Sequence, residues 1–494
     1  MTAGVMEPGN GKRSIQDYID EAPTWPDGTR LHRAPMTSMQ WRIWILAVAG
    51  KFFEGLIIFM TGIALPLIVQ DFGLGAEQKG IIAAVGLFGI LIGATALGGL
   101  SDVFGRKRMF IFEMVLFVLF LIGLTLSQGF WWMVICLFGI GLALGCDYPT
   151  AHLVISEAVP SHGRGGLVLG AFAFQAIGAI VGAGLAIVVL DAYHSVEAWR
   201  WMYAAAIIPA FLVILGRFFI CDSPHWLASK GRVDEAERET RRLLHRVPQY
   251  PKNIELDREH HQHQVQKHGL GVLFNRDNRR ATLLASVPWF LQDLGTYGIG
   301  IFTPVILGSI LGSSHAVHSL NDLVSNVLIS AKGTALLDVL LVIGVLVAIA
   351  LVEGSGRIRL QIIGFIGCAA GLGLAALSLA MPDGIKTILL FAGFMLFNFM
   401  TNLGPNAQTY LLAGEVFPTA IRGYCAGFAA SFAKVGAVMT AFLFPILLHS
   451  IGTQLLLIIL VGTSLLGAVV TWVFRVETRG SLEKIERMRV QPQL

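Results

Sequence analysis

Apolar runs of membrane-spanning length recur along this chain, near residues 42–70, 79–100, 108–128, 130–155, 165–190, 199–220, 282–311, 333–352, 361–381, 386–410, 420–449 and 453–474. A helix needs about twenty such residues to cross a hydrocarbon layer about 30 Å thick. Lipid offers no partner for a free N–H or C=O, so each run is constrained to close its hydrogen bonds internally, as a helix. The runs predict twelve spans, six on each side of residue 250. Composition agrees: 55% of the 494 residues are hydrophobic and 14% are charged, which excludes a soluble globular domain of this size.

An even number of spans puts both termini on one side. The loops that hold Arg106, Lys107, Arg108, Arg164, Arg357, Arg359 and Arg422 are more basic than the opposite loops, so those loops and both termini are expected to be cytoplasmic. The first 40 residues have no apolar core after a basic start and read as a polar tail, not a cleaved signal. A plasma membrane is expected, with a bacterial inner membrane fitting well. The net charge of +4 suits basic loops near anionic lipid and gives no reason to expect nucleic acid.

Two loops repeat. Glu157 to Gly165 and Glu415 to Gly423 both read E-x-x-P-x-x-x-R-G, and Asp102, Gly105 and Arg106 match Glu353, Gly356 and Arg357 at a similar offset. Paired loops indicate duplicated halves. The expected organisation is an N-terminal tail (1–40), a six-helix bundle (41–220), a cytoplasmic loop (221–280), a second six-helix bundle (281–475) and a C-terminal tail (476–494). The recurring acids and arginines, Asp102, Arg106, Glu157, Arg164, Glu353, Arg357, Glu415 and Arg422, lie where opposite charges can latch one conformation. Asp102 with Arg106 and Glu157 with Arg164 are the expected pairs, and topology alone is the alternative explanation for the arginines.

Most spans are free of ionisable residues, and five exceptions stand out: Lys51 and Glu54 in span one, Asp147 in span four, Asp293 in span seven and Lys434 in span eleven. A charge at that depth is costly and faces a bundle interior or a wet cavity. Trp289, Asp293 and Tyr297 are spaced by four, which places them on one face of a helix. Taken singly, Trp289 and Tyr297 can also be packing or interface residues, and Asp293 with Lys434 can be a structural ion pair. Lys51 lies one turn before Glu54, so a local pair between them is expected.

Gly98-x-Leu100-Ser101-Asp102-x-x-Gly105-Arg106-Lys107-Arg108 resembles the loop signature of the major facilitator superfamily. Asp222-Ser223-Pro224 and Glu477-Thr478-Arg479-Gly480 resemble landmarks of its sugar-porter-like branches. The likeness covers about residues 40–490 and implies an all-α membrane protein of twelve transmembrane helices in two pseudo-symmetric six-helix bundles. More narrowly, Gly145-Cys146-Asp147-Tyr148-Pro149, Trp289-x-x-x-Asp293-x-x-x-Tyr297, Gly404-Pro405-Asn406 and Ala433-Lys434-Val435-Gly436 resemble the proton-coupled phosphate symporters of fungi and plants. That resemblance implies substrate contacts from Tyr148, Gln175, Trp289, Asp293, Tyr297, Asn406 and Lys434. It also implies proton handling by Glu54 and Asp147, with Asp293 shared.

The chemistry suits a protonated anion: Lys434 neutralises it, the phenols, indole and amides donate, and Asp293 accepts. The pattern departs from that family at Ile57, where a second acid is usual, at Lys51, which has no counterpart, and at Thr150. The expected function is secondary active transport, proton-coupled symport of inorganic phosphate by alternating access; these differences leave room for a small organic anion such as a carboxylate, or another small metabolite, in place of phosphate. A non-transporting sensor is a third possibility, but the short tails offer no signalling extension. Gln175 and Asn406 can also bridge helices. His260, His261, His263 and His268 read as a solvated loop, and Gly178, Gly182 and Gly184 as helix-packing and hinge positions. Cys136, Cys146, Cys221, Cys368 and Cys425 read as small packing residues. No P-loop appears, so no ATP-driven engine, cofactor or metal is expected. The expected partners are a small anionic substrate, protons and the bilayer, with the protein monomeric.

Overall fold

The computed structural model describes residues 13–22, 34–97, 100–162, 164–245, 254, 256, 271–311, 320–417 and 421–476; at 148, 165, 309–311, 353, 383, 422 and 423 it describes the backbone alone. Eleven helices among them are long and apolar enough to cross a membrane. In the N-terminal half these are α1 (Ser38–Phe72), α2 (Ala76–Leu97), α3 (Arg106–Thr125), α4 (Phe130–Ala158), α5 (Arg164–Ala192) and α6 (Ala198–Phe218). In the other half, α7 (Arg279–Leu311), α8 (Leu320–Ser355) and α9 (Arg357–Ser378) follow the same plan. The tenth span, α10, is broken at Gly404 into Asp383–Leu403 and Pro405–Glu415, because Pro405 cannot continue the ladder and starts a new helix instead.

The last helix runs from Arg422 to Val473, 52 residues. At 1.5 Å per residue that is about 78 Å, more than twice the hydrocarbon thickness. The backbone reverses at Gly452, whose φ of 77° is open to glycine and costly for other residues. The segment is therefore two spans, α11 (422–451) and α12 (453–473), and the total is the twelve expected from the sequence.

Long apolar side chains such as Trp131, Ile135, Val188, Ile208, Phe211 and Ile388 are exposed. In water they would be a liability; here they form the surface that meets lipid. The interior is packed through small residues. A Cβ at Gly178 of α5 would fall 2.0 Å from the carbonyl oxygen of Phe52, and one at Gly55 of α1 would fall 1.9 Å from that of Gln175. The two helices touch backbone to backbone there, as small residues in membrane helices allow. Gly182 joins this contact, whereas Gly184 has open space beside it and takes no part in it.

The halves meet along α1 with α7, α2 with α11 and α5 with α8. At the end of the bundle where the chain passes from α6 to α7, short helices at Pro224–Ser229 and Val233–Leu243 pack against the N-terminal half. The N-terminal tail is not wholly unstructured: Ile15–Asp20 forms a capped helix whose Ile15, Tyr18 and Ile19 are buried against that layer.

Candidate transport site

Near the middle of the bundle, α1, α5, α7 and α11 direct polar side chains at one another. Lys51 Nζ donates to Glu54 Oε2 at 2.6 Å, the one-turn pair expected from the sequence. The other oxygen of Glu54 accepts from Tyr297 Oη at 2.8 Å and from Gln175 Nε2 at 3.3 Å, and lies 3.7 Å from Lys434 Nζ. Lys434 in turn donates to Tyr297 Oη at 2.6 Å and pairs with Asp293 Oδ2 at 3.3 Å. Glu54 and Gln175 come from the N-terminal half, and Asp293, Tyr297 and Lys434 from the other, so the network spans the interface between the halves.

The close contact of α1 with α5 explains how Gln175 reaches Glu54: with no side chain at Gly55 or Gly178, the helices approach until the amide meets the carboxylate. Trp289, Asp293 and Tyr297 share a face, as their spacing predicts, and line one cavity with Lys51, Phe172, Asn406 and Lys434. Asn406 sits at the start of the second segment of α10. It accepts from Gln292 Nε2 at 3.1 Å and donates to Asn402 at 2.6 Å, while Gln292 also reaches Thr296. Trp289 packs edge-on against Tyr410, with ring centroids 6.1 Å apart, so it both packs and lines the cavity. The side chain of Tyr148 lies outside the described residues.

A second cavity shares Lys51 with the first and is lined by Gly50, Glu54, Asp147, His152 and Tyr410. Asp147 does not join the central network; it pairs with Arg217 of α6 at 2.7 Å, where the guanidinium also stacks over Phe110. Gly50 makes room for it, since a Cβ there would lie 1.7 Å from Asp147 Oδ2. Beyond Asp147 stands Glu113 of α3, held by Thr150 Oγ1 at 2.7 Å. His152 Nδ1 and Tyr410 Oη, 3.0 Å apart, join α4 to α10 across the halves.

Five intramembrane charges were too few. Glu113, Arg217 and Asp338 are also buried within spans, and each interrupts an apolar run in the same way as the five that stand out. Gln292 and Asn402 carried no signal beyond being polar in an apolar helix.

The charges of the repeated loops pair differently from expectation. Asp102 does pair with Arg106, at 2.5 Å, but Glu157 is held by Arg106 at 3.1 Å and by Ser223 at 2.5 Å rather than by Arg164. Arg164 points to the carbonyl of Val159 and to Ser161 instead. The reason is topological: α3 and α4 end side by side, so the guanidinium of Arg106 reaches both acids at once. In the second half Arg357 holds Glu415 at 3.0 Å. The side chains of Glu353 and Arg422, the histidine cluster and residues 477–480 lie outside the described residues. All five cysteines are buried, as packing residues would be.

Twelve membrane helices in two halves, with a buried polar network at their interface, agree with the family model that matches this chain and that places it among transporters of the major facilitator superfamily. The chain belongs to the sugar (and other) transporter family, whose model matches residues 43–488. Among its relatives is the putative metabolite transport protein YaaU of Escherichia coli K12, 28% identical, with 92% of this chain and 97% of the relative covered. The galactose-proton symporter of the same organism is 27% identical, with 94% and 97% covered. The putative inorganic phosphate transporter C1683.01 of Schizosaccharomyces pombe is 26% identical, with 92% and 89% covered. In structure the chain is similar to the proton:xylose symporter XylE bound to a bromodeoxyglucose, with a TM-score of 0.73 at 20% identity, covering 91% of this chain and 99% of that one.

Proposed function

We propose that this protein is a proton-coupled symporter of a small organic anion, working by alternating access of its two halves. One observation carries the reading: two lysines and two carboxylates, Lys51, Lys434, Glu54 and Asp293, form a single buried network drawn from both halves. A sugar site needs hydrogen-bonding groups and has little use for two buried ammonium ions, each costly to keep in a membrane. An anion gives them a purpose. The galactose-proton symporter among the relatives supports proton coupling, and several relatives are named as metabolite transporters.

Substrate contacts are assigned to Gln175, Trp289, Asp293, Tyr297, Asn406 and Lys434, with Tyr148 on the neighbouring turn of α4. Glu54, Asp147 and Asp293 are assigned to the proton. The cytoplasmic pairs of Arg106 with Asp102 and Glu157, and of Arg357 with Glu415, serve as latches, and the protein acts as a monomer in a plasma membrane. Phosphate is the second reading, favoured by the cavity that gathers Trp289, Asp293, Tyr297, Asn406 and Lys434.

A thermal-shift screen of the purified protein tests the class of substrate. Lactate, succinate, benzoate, inorganic phosphate and glucose serve as probes, because a ligand that binds only the folded protein raises Tm. A rise of several degrees with a carboxylate supports the organic-anion reading, and a rise with phosphate alone supports the second one. Stabilisation by glucose and by none of the anions overturns both.

A further inference from the structure

The donors that an incoming anion needs are already engaged, and what engages them is a carboxylate. Glu54 takes Lys51 on one oxygen and Tyr297 with Gln175 on the other, and Lys434 stands 3.7 Å from that second oxygen. Lys51, Tyr297, Gln175 and Lys434 thus make a built site for a planar, two-oxygen anion, with donors converging on both oxygens as carboxylate recognition requires. Glu54 itself is 5% exposed, so this is a buried arrangement and not a surface pairing.

We infer that Glu54 is a tethered stand-in for the substrate: the transported anion carries a carboxylate, and it takes the place of the Glu54 carboxylate once that group accepts a proton. The inference rests on the symport reading above and adds how the proton and the anion are tied together.

The balance of charge follows from the four residues. Lys51 and Lys434 contribute two positive charges and Glu54 and Asp293 two negative ones, so the empty network is neutral. A proton that adds to a Glu54 oxygen makes the carboxylate a neutral acid and leaves the network at plus one. A carboxylate that then binds restores neutrality, and only a near-neutral centre is cheap to carry through a low-dielectric interior. One proton therefore accompanies each monovalent anion. Binding without the proton would place two carboxylates on the same donors, where like charges repel.

The charged and titratable groups that face Glu54 are Lys51 from its own helix, Asp293, Tyr297 and Lys434 from α7 and α11, and Asp147 from α4, the last neutralised by Arg217. Gln175 from α5 adds an uncharged donor. Lys51 also lines both cavities, so it remains in contact with an anion that enters from the side of Asp147 and His152.

Two variants test the idea. In Glu54→Ala the stand-in is gone and its place is open, so acetate at tens of millimolar should raise Tm at neutral pH, where wild type shows no acetate effect. In Glu54→Gln the side chain is neutral at every pH, so no proton is needed to clear the site. Anion affinity in wild type should fall about tenfold per pH unit on the alkaline side, as expected for one linked proton, while affinity in this variant should be flat with pH. Acetate stabilisation of Glu54→Ala supports the stand-in even if wild type takes up no organic anion, and in that case it is the symport reading that falls. Proton-driven uptake of a carboxylate by wild type, with no acetate effect in Glu54→Ala and an unchanged pH profile in Glu54→Gln, overturns the stand-in and leaves symport intact.

Discussion

Lys434 is the residue on which the site turns, because it contacts Asp293 and Tyr297 directly and stands beside Glu54. Lys434→Ala removes the only cation paired with Asp293 among the described residues. It should abolish anion uptake into proteoliposomes and lower stability by about 3–5 kcal/mol, the usual consequence of stranding one partner of a buried pair. Uptake assays and thermal melts check this together. Asp293→Asn keeps the shape and removes the charge. It should stop uptake or uncouple it from an imposed pH gradient, and wild-type pH dependence in that variant would take Asp293 out of the mechanism. Much of this was legible in the sequence. Trp289, Asp293 and Tyr297 announce a common face by spacing alone, and Lys51 with Glu54 is a one-turn pair. Partners distant in sequence were not legible: Asp147 meets Arg217 only because α1 and α3 pack against both α4 and α6, and no local pattern encodes that.

At the scale of helices, the site depends on close approach. Gly178 of α5 lies against the backbone of α1 at Phe52, and the same contact brings Gln175 to Glu54. Gly178→Leu should force the helices apart, with about 1–3 kcal/mol lost to overpacking and uptake lost with it, as a melt and a transport assay would show. The number of spans was readable from hydropathy because lipid imposes helix length. The two breaks are local: Pro405 marks the division of α10, and Gly452 the reversal between α11 and α12. The helix ends that carry the repeated loops were read less well. The repeated E-x-x-P-x-x-x-R-G loops suggest Glu157 with Arg164, but the adjacent ends of α3 and α4 give Glu157 to Arg106. Arg106→Ala should therefore free Asp102 and Glu157 together and slow uptake while leaving anion binding intact, a split visible by comparing transport rate with ligand-induced stabilisation.

On the scale of the whole molecule, the two halves share one charged network and little else that is ionised at that depth. The network is neutral when empty, it draws carboxylates from both halves, and it lies where α1, α5, α7 and α11 converge. A carrier built this way moves an anion only with a compensating positive charge, and the proton is the one its carboxylates can take up and release. Acidifying the side from which substrate enters should speed uptake, since it fills Glu54 before the anion arrives. His152 and Tyr410, which bridge α4 and α10, mark where the halves must part on one side of the site.

The most direct test is to watch the proton move. Proteoliposomes loaded with a pH-sensitive dye and held without an imposed gradient are given the carboxylate that stabilises the protein. Coupling of one proton to each anion requires acidification of the lumen in step with anion uptake, abolished in Glu54→Gln. Anion uptake with no change in lumenal pH would contradict it.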